Sequence, residues 1–201
     1  MGEPADAAEA VVPAVRILTD REQFQLAPRR VTISTVAPNP HAFAELGQAP
    51  AVLAWSIHAA NDTLRRELVP TTQYTMEELR EALIQVLQGR SRRMRAIMLE
   101  VTLLDQINDT PQAAQELADF CQPILAQVPS VKLVVNLIPW NDISALYGPA
   151  AQYRQPSRER VEAFQAILVQ NGLLSYVRTT RGDDESSACG QLATKKRQKA
   201  T

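Results

Sequence analysis

Short apolar runs rich in β-branched residues alternate along this chain with longer segments in which apolar residues recur every three or four positions. The short runs predict strands, because β-branched side chains pack well on a pleated backbone. Five strands are predicted, at 29–35, 51–57, 95–104, 131–138 and 174–180. Several are apolar on both faces, which is typical of a parallel sheet covered by helices.

Three of the intervening segments combine a helix start signal with an apolar stripe. A capping box of Thr75 and Glu78 begins the first, Thr110 and Pro111 begin the second, and Ser157 begins the third. The three stripes are Leu79, Leu83, Val86 and Leu87; Leu117, Cys121, Ile124 and Leu125; and Val161, Phe164 and Leu168. Cys121 is therefore predicted to be a small buried hydrophobic residue.

Strands that alternate with helices predict βαβ units and a parallel sheet in an α/β fold. Five strands are fewer than a closed eight-stranded barrel needs, so the sheet is either small and open or part of a barrel.

Composition limits the function classes. The chain has 201 residues, 45% hydrophobic and 21% charged, with a net charge of −1, so a basic surface can only be local. Two cysteines cannot supply a disulfide framework or a four-thiolate zinc site. The sequence contains neither an apolar run of membrane length nor a signal-peptide pattern, which predicts a soluble protein of a reducing compartment without a membrane partner.

Polar residues follow every predicted strand. Because ligands bind at the carboxyl ends of parallel strands, five such sets predict one shared site above the sheet. Asn61, Asp62 and Asp109 could simply begin helices, and a single histidine after a strand is more often structural. The sets are Ser34 and Thr35; Ser56, Ile57, His58, Asn61 and Asp62; Asp105, Asn108 and Asp109; Asn141; and Arg181, Gly182, Asp183, Asp184 and Cys189.

Cys189 lies in a polar, glycine-punctuated stretch, TTRGDDESSACGQLA at 179–193, where no helix or strand pattern would bury it. It is either a reactive thiol or an incidental exposed one. Arg178 and Arg181 would lower its pKa, whereas Asp183 and its acidic neighbours would raise it, and the sequence leaves the balance open.

Several motifs together resemble the adenine-C2 RNA methyltransferases, which are radical S-adenosylmethionine enzymes. TRGDD…ACGQLA is highly specific, SIHAAND is moderately specific, and MGEP is weak but correctly placed. The resemblance runs in order from Gly2 to about Ala193. It implies that 1–193 is part of a parallel-sheet (β/α) barrel of the radical S-adenosylmethionine type, without its N-terminal strands, and that 194–201 is a basic disordered tail.

The resemblance also implies site residues and cofactors. Cys189 matches the cysteine that carries the methyl group. The matching cofactor-binding positions are Gly2, Glu3, Ser34, Ser56, Ile57, His58 and Asn141. The implied cofactors are S-adenosylmethionine and a [4Fe–4S] cluster. The implied partners are 23S ribosomal RNA, possible transfer RNA substrates and an electron donor, for a monomer in the cytoplasm or an organelle.

The chain departs from the family pattern in three ways. It has no C-x₃-C-x₂-C motif for the cluster and neither the second, resolving cysteine nor the RNA-binding N-terminal domain, so we expect a C-terminal part that begins at an internal methionine and is inactive alone. Ala37 and Ala60 replace a usual glycine and proline. The segment 141–157 is longer than usual, which weakens the match at Asn141.

Two other functions are considered. A non-catalytic remnant could bind RNA or a protein through the basic tail and GRSRRMR at 89–95, where Arg90, Arg92, Arg93 and Arg95 would contact phosphates. The same segment could equally be an exposed loop before a strand. An iron-free methyltransferase is disfavoured because the glycine-rich dinucleotide-type loop is missing.

Overall fold

A computed structural model describes residues 2–141 and 152–178, and strands alternate with helices throughout these ranges. The strands are β1 (Thr32–Thr35), β2 (Val52–Ser56), β3 (Ala96–Leu103), β4 (Lys132–Pro139) and β5 (Leu174–Val177). The α-helices are α1 (Ala8–Thr19), α2 (Pro40–Leu46), α3 (Asp62–Leu68), α4 (Met76–Gly89), α5 (Pro111–Gln127) and α6 (Arg158–Gln170). Short 3₁₀ helices span Pro4–Ala7, Pro28–Arg30 and Arg92–Met94.

The five described strands form one parallel sheet in the order β1-β2-β3-β4-β5. Because crossovers between parallel strands are right-handed, strands added in chain order place their helices on the same face. The helices that precede successive strands accordingly contact one another, α1 with α2, α2 with α4, α4 with α5 and α5 with α6. This winding is that of part of a barrel, since a doubly wound sheet reverses its strand order and covers both faces.

The two faces of the sheet differ in burial. Exposure alternates along β3, where Leu99 and Val101 face the helices and are buried while Glu100 between them is half-buried. Met98 and Val134 on the same side as Glu100 are also half-buried. We call this side the open face. Apolar side chains on the open face, such as Met98 and Val134, account for the apolar runs of the sequence.

The core lies between the sheet and the helices, with the Trp55 side chain near its centre. Trp55 is fully buried and meets the rings of Phe43 and Phe120 edge to face, with centroids 5.1 and 5.8 Å apart. Cys121 is buried in the same cluster, as predicted. Burial raises the pKa of its thiol to about 12, so it stays protonated at neutral pH and is a poor nucleophile.

The predicted helix starts are confirmed. Thr75 and Glu78 form a reciprocal capping box at α4, Thr110 caps α5 ahead of Pro111, and Ser157 caps α6. The apolar stripe of each helix faces the core, although Val86 and Leu125 at the stripe edges are only half-buried. In the described parts of the chain, no helix is long and apolar enough to span a bilayer.

Candidate functional site on the open face

Polar side chains from four neighbouring strands meet near the carboxyl end of the open face. Ser56, Glu100 and Asn136 are paired directly across β2, β3 and β4, and Ser34 projects from β1. Ser34 Oγ donates to Glu100 Oε2 at 2.8 Å and lies 3.5 Å from Ser56 Oγ. Asn136 Nδ2 approaches Glu100 Oε1 at 3.5 Å. The structure thus brings two predicted binding residues, Ser34 and Ser56, into one polar row.

Glu3 lies at the carboxyl end of β1. One carboxylate oxygen accepts hydrogen bonds from the Thr35 hydroxyl and from Ala5 N, and the other accepts from Val36 N at 3.0 Å. These contacts fasten the first turn of the chain to the strand end. Gly2, which precedes Glu3, is exposed.

Ser56 ends β2 and Ile57 and His58 follow it, but the three side chains have different environments. The Ile57 side chain is fully buried in the core, so only its backbone is available near the strand end. That backbone is already engaged, since Ile57 N donates to Glu100 O at 3.0 Å and its carbonyl accepts from Arg65 at 2.7 Å. The predicted triplet therefore offers the Ser56 hydroxyl and the half-buried His58 ring to the site.

His58 adopts a left-handed backbone, with φ of 54°, which turns the chain away from β2. Its Nδ1 accepts a hydrogen bond from Thr102 N at 3.2 Å, so the neutral ring carries its proton on Nε2. Burial, and then repulsion by the Arg65 cation, lower the pKa of His58 to about 4. The imidazole is therefore neutral at physiological pH and serves here as an acceptor.

Replacing His58 with asparagine is expected to flatten the pH dependence of stability. Because the pKa of His58 is about 4 in the folded chain and 6.5 ordinarily, the unfolded state binds more protons between these values. The free energy of unfolding should therefore fall as the pH drops from about 6.5 towards 4, by about 2 kcal/mol from this residue.

Asparagine tolerates the left-handed backbone and keeps an acceptor oxygen, so His58→Asn removes the titrating ring at small cost to the loop. Urea denaturation of both proteins at pH 7 and pH 4.5 measures the effect. If the free energy of unfolding of His58→Asn fell between pH 7 and pH 4.5 by as much as that of the unchanged protein, the burial of a neutral ring would be contradicted.

Ala37, where the family resemblance predicts glycine, also has a left-handed backbone, with φ of 51°. The residue is fully buried, and its N–H donates to Thr35 Oγ1 at 2.9 Å. A left-handed conformation costs an alanine about 1–2 kcal/mol relative to a right-handed one. Glycine would adopt this backbone without that cost, which explains why the resemblance predicts it there. The turn after β1 nevertheless forms with alanine.

Arg65, on α3, holds the ends of β1 and β2 together, and the sequence reasoning missed it. The side chain is 1% exposed, and its guanidinium donates to Ser56 O at 2.6 Å, to Ile57 O at 2.7 Å and to Val36 O. In the described part of the chain no acidic side chain pairs with it. Burial lowers the pKa of Arg65 to about 10, so the cation persists at neutral pH.

Asn108 and Asp109 fix the loop after β3. The Asn108 amide nitrogen donates to His58 O at 2.8 Å and Thr102 O at 2.7 Å, while its oxygen accepts from Leu104 N. Asp109 is buried and accepts two hydrogen bonds from Arg160 of α6, at 2.5 and 2.6 Å. Asp109 therefore anchors a helix by its charge, whereas the sequence had offered it as a possible helix start.

The predicted site residues that follow β4 lie at the limit of the described ranges or outside them. Asn141 is half-buried and lies two residues beyond β4, at the limit of a described range. Cys189, which the resemblance makes the methyl carrier, lies outside the described residues, as do Arg181, Gly182, Asp183 and Asp184. The predicted tail 194–201 is outside them as well.

Part of the basic segment 89–95 forms hydrogen bonds within the fold. Arg90 donates to the carbonyls of Gly47 and Ala49, and Arg95 donates to those of Gln88, Arg90 and Pro129. Arg92 and Arg93 are exposed. Two of the four arginines therefore stabilise the turn between α4 and β3, which gives the segment a structural role and makes it a smaller basic surface than expected.

The described residues contain no group of three or more side chains able to hold a metal ion. A cluster with an open iron needs three closely spaced thiolates, and the whole sequence has only Cys121 and Cys189. Since Cys121 is buried in the core, this chain does not fit a [4Fe–4S] cluster by itself.

Comparison with known proteins identifies relatives of nearly the whole chain. The chain is 39% identical over 194 residues to the dual-specificity RNA methyltransferase RlmN of Francisella tularensis subsp. mediasiatica, and equally so to that of subsp. novicida. This match covers 96% of the chain and 49% of each relative. The chain is similar in sequence to one part of RlmN. It spans about half the length of the curated RlmN proteins that it matches.

Solved structures agree with the similarity to RlmN. A radical S-adenosylmethionine methyltransferase from Sphaerobacter thermophilus is 37% identical, with a TM-score of 0.77 over 95% of this chain and 52% of that one. A domain of a pyruvate-formate lyase-activating enzyme from Bacteroides vulgatus, 16% identical with a TM-score of 0.63, shares the fold. No family model matches the chain. The predicted parallel α/β fold and the resemblance to this methyltransferase family are thus confirmed.

Proposed function

We propose that this chain is the C-terminal, cofactor-binding part of a radical S-adenosylmethionine methyltransferase that methylates C2 of adenosine in 23S ribosomal RNA and in transfer RNA. The observation that carries the proposal is the polar row on the open face. The hydroxyls of Ser34 and Ser56, assigned to the cofactor by their motifs, lie 3.5 Å apart there, and Glu3 is fastened to the end of β1.

The residues of the open face fit S-adenosylmethionine. Two hydroxyls, an amide and a carboxylate offer donors and acceptors to the polar parts of the cofactor, and half-buried Met98 and Val134 offer apolar contact. We propose that Gly2, Glu3, Ser34, Ser56, His58 and Asn141 bind it, and that Ile57, through its buried side chain and engaged backbone, holds Ser56 and His58 in position. Bound S-adenosylmethionine supplies an electrophilic sulfonium methyl group.

Cys189 is the proposed methyl acceptor. Its thiolate would accept the methyl group that S-adenosylmethionine, held on the open face, would supply, and the electron pair of the broken carbon–sulfur bond would stay on the sulfur of the donor. Cys121 cannot replace it, because the Cys121 thiol is buried and protonated at neutral pH. The later redox chemistry needs cluster ligands that the described residues lack, so no step through a cluster is assigned to this chain.

RNA, an electron donor and the remaining part of the enzyme are the proposed partners, for a monomer acting in the cytoplasm. Arg92 and Arg93 are exposed, and the sequence of segment 194–201 is basic, so both supply positive charge for RNA phosphates. A purely RNA-binding remnant is the weaker alternative, since Arg90 and Arg95 are occupied by backbone carbonyls.

A chimera tests the proposed function. The part of Francisella RlmN that this chain does not match would be fused to this chain and expressed in a bacterium lacking its own enzyme. We expect 2-methyladenosine to reappear in 23S ribosomal RNA, measured by mass spectrometry of its nucleosides. A folded chimera that leaves the RNA unmethylated, while intact Francisella RlmN restores the mark, would contradict the proposal.

A further inference from the structure

Glu100 is the centre of the polar row, and no motif had assigned it a role. It lies on β3, the middle strand, with Ser56 directly opposite on β2 and Asn136 directly opposite on β4. Ser34 donates to one of its oxygens at 2.8 Å, and Asn136 approaches the other at 3.5 Å. Two neutral side chains from opposite sides thus hold the carboxylate in one orientation.

No cation neutralises Glu100 within ranges 2–141 and 152–178, where the ion pairs involve other carboxylates. Arg65, the buried cation nearest in sequence to the ends of β1 and β2, is directed at backbone carbonyls. A half-buried carboxylate with only neutral partners has lost part of its hydration without gaining a counter-charge. It therefore favours a cationic ligand over a neutral one of the same shape.

The carboxylate also has unused acceptor capacity. An ionised carboxylate offers about four lone-pair directions, and the contacts from Ser34 and Asn136 occupy two. Glu100 can therefore receive a ligand without breaking the row, and the row fixes where the negative charge lies before the ligand arrives.

We propose that Glu100 is a specificity-determining residue that makes the site prefer S-adenosylmethionine, with its positive sulfonium, over S-adenosylhomocysteine, whose sulfur is neutral. This inference rests on the proposed function, because it takes the open face as the cofactor site. The two ligands share their adenosyl and amino acid groups, so a preference between them isolates the effect of the methylated, charged sulfur. The preference would help the site exchange spent for fresh cofactor.

Calorimetric titration of the 201-residue chain with each ligand tests the inference. Glu100→Gln keeps the shape and the acceptor oxygen but removes the charge. We expect about a tenfold loss of S-adenosylmethionine affinity and less than a threefold loss of S-adenosylhomocysteine affinity. The control Glu81→Gln, on the exposed side of α4, should change neither affinity.

Each other outcome has a definite meaning. Equal losses for both ligands would overturn charge selection by Glu100 while leaving the open face as the binding site. If the wild-type chain bound neither ligand, the proposed cofactor site would fail together with this inference. If Glu100→Gln does not fold, the salt dependence of ligand binding by the unchanged chain is measured instead. Raising ionic strength from about 50 to 500 mM must weaken S-adenosylmethionine binding more than S-adenosylhomocysteine binding, and equal weakening overturns the inference.

Discussion

Replacing Arg65 with methionine is expected to lower the free energy of unfolding by about 3 kcal/mol. The guanidinium is the donor to Val36 O, Ser56 O and Ile57 O, and methionine would leave these carbonyls at the strand ends without it. Methionine fills a similar volume and also removes the cost of burying a charge, so the net loss is smaller than the sum of three charged hydrogen bonds.

Urea denaturation followed by circular dichroism measures this loss. Arg66, the next residue on α3, is exposed, and Arg66→Met should change the free energy of unfolding by less than about 0.5 kcal/mol. The loss of unfolding free energy for Arg65→Lys should lie between those for Arg66→Met and Arg65→Met, because one ammonium group cannot reproduce the planar fork that reaches three carbonyls. An Arg65→Met protein as stable as Arg66→Met would contradict the role given to this residue.

The sequence predicts the strands well because their signal is local. All five strands occur where β-branched runs lie, although β1 begins at Thr32, since the preceding residues Pro28–Arg30 form a 3₁₀ helix. The three helices with caps and stripes are also confirmed. Of the other three, α1 has Pro13 in its interior, and α2 and α3 are only seven residues each, too short for a periodic pattern to stand out.

The sequence predicts less about the site because its geometry depends on tertiary contacts. Ser34, Ser56 and Glu3 were predicted from their motifs and strand-end positions, and the structure places Ser34 and Ser56 in one polar row. Glu100 was missed because it lies inside an apolar run, and only the sheet register shows that it faces the open side between Ser56 and Asn136. An acidic residue within an otherwise apolar strand is a signal that could have identified it.

Arg65 was missed, and the role of Asp109 was left open, for a related reason. Arg65 stands beside Arg66 in a short polar helix, where an arginine is ordinarily exposed, and its burial follows from packing of α3 over Trp55. Asp109 precedes a helix, but the charge of Arg160, 51 residues later, decides its role. Local sequence contains no information about such distant partners.

Replacing Cys189 with serine in the chimera with Francisella RlmN is expected to lower the rate of methylation by roughly 10³-fold or more. A serine hydroxyl is far less acidic and less nucleophilic than a thiol, so it would not accept the methyl group. The matched control is Cys121→Ala, which removes the other cysteine of this chain from its buried position in the core. It should cost some stability but keep methylation within about threefold of the parent chimera.

The most direct measurement is the amount of 2-methyladenosine in 23S ribosomal RNA from cells that carry these chimeras in place of their own enzyme. The account predicts the modified nucleoside with the parent and with Cys121→Ala, and none above background with Cys189→Ser. Full methylation by a Cys189→Ser chimera would contradict the claim that this chain contributes the methyl-carrying sulfur.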